Sequence, residues 1–123
     1  MWRWLFIGFL IAHGLIHIAV WATPKPEQQS SPFEATHSWL LGDQRSLAAA
    51  LAYAAMGLFV IAGLGLLFHA GWWRPVTVVA SGLSLALASL FFNPWLLMAI
   101  GLNAGLIAGI VWLSWPSQAM VGA

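Results

Sequence analysis

Apolar residues run along this chain in long blocks separated by short polar breaks. A membrane-spanning helix needs about 20 mostly apolar residues, and four blocks meet or approach that length, at about 4–21, 47–68, 76–92 and 95–115. Asn93-Pro94 is the break between the last two. Proline disfavours helix at the residue before it, so the pair predicts a tight turn. A single helix over 76–115 would be about twice as long as a bilayer is thick, at ~1.5 Å per residue. The expected architecture is therefore all-α: an integral membrane bundle of four antiparallel helices in one domain, with both chain ends on the same side.

The polar segment 22–46 is the one long departure from this pattern. Thr23-Pro24-Lys25-Pro26 reads as an extended exit from the first helix. Ser31-Pro32-Phe33-Glu34 carries a helix-start signal, with Ser31 as N-cap, Pro32 in the first helical position and Glu34 closing a capping box. Gly42 is placed to end that helix. Phe33, His37, Leu40 and Leu41 share one face with Trp39 near its edge, which predicts a short helix lying in the membrane interface. Its expected role is either a simple connector or a lid and docking surface.

Composition agrees with a membrane protein. Of 123 residues, 62% are hydrophobic and 6% charged, against about a quarter charged in soluble domains. All nine tryptophans fall near predicted helix ends or in the first loop, as aromatic belts do. Trp39, Trp72 and Trp73, with Arg74, are the expected interface anchors. The net charge of +1 and the scattered Lys and Arg form no basic patch, which argues against nucleic acid. No cysteine is present, so disulfides, thiolate metal sites and cysteine nucleophiles are excluded. Arg3 and Arg74 lie on the side of the termini and Lys25 and Arg45 on the other, a tie in the positive-inside count. The α-amino group tips the reading towards cytoplasmic termini in a bacterial inner membrane. Val20-Trp21-Ala22 weakly resembles a leader cleavage site, but a retained first helix is the reading adopted.

Ionisable side chains at membrane depth are costly and rare, and each is a functional hypothesis. His13 and His17 stand four residues apart on one face of the first helix. They are the candidate cofactor-binding residues, with Asn103 as a supporting group. Such a pair can bind one metal ion from one side, His37 being the available third ligand. It can also supply a single axial ligand to a haem or chlorin, or contact a quinone or a proton. The structural alternative is that neutral imidazoles hydrogen-bond across the bundle to Ser81, Ser84, Ser89, Tyr53, Asn103 or backbone carbonyls. His69, beside Trp72-Trp73-Arg74-Pro75, reads as interfacial. No Asp or Glu falls inside a predicted span, which weakens a carboxylate relay or a metal-dependent hydrolase.

Gly101, Gly105 and Gly109 form a GxxxGxxxG ladder that permits close helix approach, to another span or another subunit. Asn103 lies roughly 200° around the helix from Gly101. If Asn103 faces the histidines, the ladder faces outward, towards a second copy or a host complex.

Leu10-Ile11-Ala12-His13-Gly14-Leu15-Ile16-His17 resembles a motif near the start of a group of small four-span bacterial membrane proteins. Ser38-Trp39-Leu40-Leu41, Trp72-Trp73-Arg74-Pro75, Asn93-Pro94-Trp95 and Trp112-Leu113-Ser114-Trp115-Pro116 are similar to that group as well, and the chain distantly resembles DoxX-like proteins. Asn103 is a departure from several members of that group, in which an Asp is expected at this place. The resemblance implies the fold and assigns no functional residue.

The function expected from these features is a non-enzymatic accessory or scaffold subunit of a bacterial membrane complex, with membrane lipids and a protein partner or second copy at the glycine face. The alternatives are a small redox or cofactor-binding protein using His13 and His17 for haem, chlorin, metal or quinone, and a small transporter.

Overall fold

The structure, a computed structural model, describes residues 1–19, 37–38, 42–43, 45–91 and 96–122. The elements in order are α1 (Trp2–His17), β1 (His37–Ser38), β2 (Gly42–Asp43), α2 (Arg45–Leu67), α3 (Trp73–Leu90), α4 (Leu97–Val111) and α5 (Gln118–Val121).

The boundaries follow local chemistry. The Ala- and Leu-rich sequence of α2 combines the two strongest helix formers. Helix α3 starts at Trp73, so Pro75 occupies its first turn, where a missing N–H breaks no intrahelical bond. Helix α4 stops at Val111, short of 115. The Leu113 N–H returns to the Ala108 carbonyl at 3.3 Å and the Trp115 N–H to that of Gly109 at 2.8 Å. Ser114 takes the left-handed conformation, with φ 50°, that reverses a chain after a helix.

Helix α1 packs on α2, α2 on α3 and α3 on α4. Each pair is antiparallel. Gly14 lies against Met56 and Phe59 while Gly63 lies against Ile11 and Ile7, so α1 and α2 run in opposite directions. The bonds Asn103–Ser84 and Arg74–Pro116 fix the same relation for α3 and α4. Two apolar clusters make the core. One joins Leu10, Phe59, Leu66, Trp73, Leu106 and Val121, and the other joins Ala48, Ala52, Leu87, Phe91 and Leu96.

Residues 112–122 fold back as a strap over the end of the bundle that carries the N-terminus. The Ser117 hydroxyl caps α5 by accepting the Met120 N–H at 3.3 Å, and Gly122 ends it with φ 77°. Val121 inserts into the first core cluster. Two polar bonds hold the strap: Arg74 Nη2 donates to the Pro116 carbonyl at 2.7 Å and His69 Nδ1 donates to the Gly122 carbonyl at 3.1 Å, while Arg3 Nη1 donates to His69 Nε2 beside it.

The stretches Ser46–Leu67 and Trp73–Leu90 are long and apolar enough to cross a membrane. Only 33% and 39% of their apolar windows are buried, whereas the core helix of a soluble protein is mostly buried. Leu5, Tyr53, Ile61, Val79 and Met98 are among the large side chains on the outside. Helices α1 and α4, of 16 and 15 residues, are shorter.

Two expectations are corrected. The interfacial helix is not formed at the described positions of the first loop, where His37 pairs with Asp43 and Ser38 with Gly42 as an antiparallel ladder. A lone helix of about ten residues is marginal by itself, and Gly42 serves the ladder instead of a helix end. Ser31 and Trp39 lie outside the described residues, as does the His37 side chain. Trp73 is no interface anchor: it is wholly buried, while Trp72 is 49% exposed.

Candidate functional site

His13, His17, Ser84 and Asn103 are buried together, drawn from α1, α3 and α4. His13 and His17 reach the same interior because four residues is about one helical turn. Their rings lie 5.4 Å apart and perpendicular. His13 stacks on Phe9 and meets Phe59 edge-on at 4.7 Å, so apolar rings wall the polar groups in.

The hydrogen bonds form a closed circuit. His13 Nε2–H donates to Asn103 Oδ1 at 3.0 Å. Asn103 Nδ2 donates to Ser84 Oγ at 2.9 Å and to the Ala99 carbonyl at 2.8 Å. His17 Nδ1–H donates to the carbonyls of His13, at 2.8 Å, and Gly14, at 3.2 Å. That leaves His17 Nε2 to accept the Ser84 hydroxyl proton at 2.7 Å, which returns the circuit to α1. The carbonyl partners assign these tautomers. In chain order the circuit residues of α3 and α4 fall between the two apolar clusters, so the circuit forms a polar layer inside an apolar bundle.

This layer ties α1 to α3 and α4 across the bundle, beyond the contacts of sequential neighbours. Of the polar partners available to the histidines, Ser84 and Asn103 are used, whereas Tyr53 and Ser89 face outward. Ser81, one turn before Ser84, carries the one buried side-chain oxygen without a partner among the described residues. His13 Nε2 and both nitrogens of His17 already face protein partners, so a metal or haem iron at any of these three would have to displace one of these bonds. No group of three His, Cys, Asp or Glu side chains converges among the described residues.

Asn103→Leu is expected to cost about 1–2 kcal/mol, because it strands the His13 N–H and removes one bond from Ser84. Measurement by denaturation in detergent, alongside Asn103→Leu/His13→Leu, checks this. The double variant removes both partners and is expected to cost less than the sum of the single variants.

With Asn103 turned inward, the glycine ladder faces out. A Cβ added to Gly101 or Gly105 would meet nothing within 4 Å, and one on Gly109 would meet Trp115 of the strap at 3.5 Å. Gly101 and Gly105 floor an open apolar groove of about 470 Å³. Leu5 and Phe9 of α1 form one wall, and Trp115 and Met120 of the strap close its end. The close-packing glycines lie elsewhere: a Cβ would stand 2.8 Å from Phe59 Cβ at Gly14, 2.9 Å from Ile11 at Gly63 and 2.6 Å from Trp72 at Gly65. They carry no ladder spacing that would single them out in the sequence.

The sequence reading also missed the cluster of Arg3, His69 and Gly122. Its signal was only that an Arg and a His flank helix ends on one side. No protein-family model, curated protein or solved structure matches the chain.

Proposed function

We propose that this protein is a non-enzymatic accessory or scaffold subunit of a bacterial membrane protein complex. It crosses the inner membrane four times, with both termini cytoplasmic. The observation that carries this reading is the closed circuit of His13, Asn103, Ser84 and His17, which spends the chain's rare intramembrane polar groups on joining its own helices. Buried polar groups that are fully partnered fix one arrangement of a bundle. Apolar side chains on the outside of the helices supply a surface for lipid and for a partner. The partner engages the outer face of α4 around Gly101 and Gly105, where backbone is accessible to a neighbouring helix. The orientation follows the clustering of Arg3, Arg74 and the α-amino group at one end.

The test is gentle extraction from the native membrane, followed by absorption spectroscopy, metal analysis and determination of subunit stoichiometry. The expected preparation is colourless and metal-free and carries a stoichiometric polypeptide partner, retained by His13→Leu/His17→Leu. A haem, chlorin or metal present at one equivalent, and lost from that variant with the fold intact, overturns the proposal.

A further inference from the structure

We infer that the groove between α1 and α4 is a binding site for one acyl chain of an anionic phospholipid, with the lipid phosphate held at the strap end by Arg3. The groove's size, its lining and the charge beside it agree. At about 470 Å³ the groove has room for part of a hydrocarbon chain. The walls are aliphatic and aromatic, and the glycine floor lets the chain lie against α4 without obstruction. A hydrocarbon needs no hydrogen-bonding partner, so this lining suits it.

Positive charge gathers where the groove meets the strap. Trp2 and Met120 line the groove there, and Arg3 follows Trp2 directly. Arg3 Nη1 donates to His69, which is itself bonded to Gly122. Among the described residues the Arg3 guanidinium bonds only to the His69 ring, through Nη1, and lies 4.9 Å from the Trp4 ring centroid, so the other edge of its planar fork can meet phosphate oxygens. The chain's acidic residues, Glu27, Glu34 and Asp43, all fall in the segment between α1 and α2, away in sequence from this end. A phosphate is thus attracted by Arg3 with no Asp or Glu side chain close to it in sequence.

The groove shares the Gly101 and Gly105 face that the scaffold reading gives to a partner helix, so the lipid is the occupant of that face when the partner is absent. The experiment uses only the single chain and lipid, and its outcome is read separately from the search for a partner. The full-length protein, reconstituted with equal amounts of phosphatidylglycerol and phosphatidylcholine bearing sixteen-carbon chains, is examined by native mass spectrometry. One retained lipid per chain is expected, with phosphatidylglycerol favoured about fivefold, as one arginine near a headgroup provides. Arg3→Gln, which keeps a donor for His69, is expected to bring the two lipids to near parity. Gly101→Leu/Gly105→Leu is expected to abolish retention. Photoreactive groups on the acyl chain then locate it in the unaltered protein, with labelling expected on Leu5, Phe9 and residues 101–106. Retention of no lipid, a dimer of this chain in its place, or labelling spread equally onto Tyr53 and Ile61 of α2 overturns the inference.

Discussion

Gly14→Leu is expected to destabilise the protein by about 3 kcal/mol or more, through overpacking at the α1–α2 contact. A Cβ at this position would stand 2.8 Å from Phe59 Cβ and 3.1 Å from the Met56 carbonyl oxygen. Neither atom lies at the tip of a flexible side chain, so relief requires the two helices to separate. Separation would also move His13 and His17, which flank Gly14 and hold α1 to α3 and α4. Steric loss and loss of the polar circuit are therefore coupled. The opposite result is expected at Gly101 and Gly105, where alanine meets open space and gains helix propensity. Each of those alanine variants is expected to be neutral or more stable by up to about 1 kcal/mol. Helicity followed through denaturant titration in detergent checks all three. Equal losses at Gly14 and Gly105 would refute this assignment of the packing glycines.

The contrast shows what the sequence discloses about such a fold. Apolar block length and the Asn93-Pro94 pair mark out helices in the sequence, because a proline imposes a boundary on the residue before it and an unbroken apolar block contains none. The polar circuit was legible in its members, since His13, His17, Ser84 and Asn103 are among the few groups in apolar blocks that need a partner. Which serine was used was not legible: Ser81, Ser84 and Ser89 differ only in the rotation of α3 against α1. The outward direction of the glycine ladder followed, conditionally, from the roughly 200° between Gly101 and Asn103. The strap was hidden, because its anchors are side-chain bonds to the backbone carbonyls of Pro116 and Gly122, and any residue supplies a carbonyl. The first loop differs from expectation at its described positions for a related reason: the pairing of His37–Ser38 with Gly42–Asp43 joins backbone to backbone and leaves no residue-type signature.

The tryptophans carry the same lesson, and Trp73→Ala is expected to be the most damaging of their substitutions, at about 3–5 kcal/mol. Trp72 and Trp73 are adjacent, and both suit a membrane interface by composition. Only Trp73 turns inward, to zero exposure. Its ring meets Phe6 of α1 at 5.7 Å in an edge-on geometry, and Phe6 meets Trp115 of the strap at the same distance. The Arg74 guanidinium lies 4.8 Å from the Trp73 ring centroid, so the ring also helps to place the group that binds Pro116. The penalty comes from lost contacts and the cavity left behind. That cavity would open beneath the strap, so Trp73→Ala is expected to free residues 112–122 before the bundle itself unfolds. Trp112, at 75% exposure, is the control, and Trp112→Ala is expected to cost below about 1 kcal/mol. Limited proteolysis paired with denaturation separates the two effects: early cleavage after residue 111 in Trp73→Ala, with most helicity retained, supports the aromatic chain from α3 through Phe6 to the strap. Cleavage no faster than in the unaltered protein would show that the strap is held by its polar bonds alone.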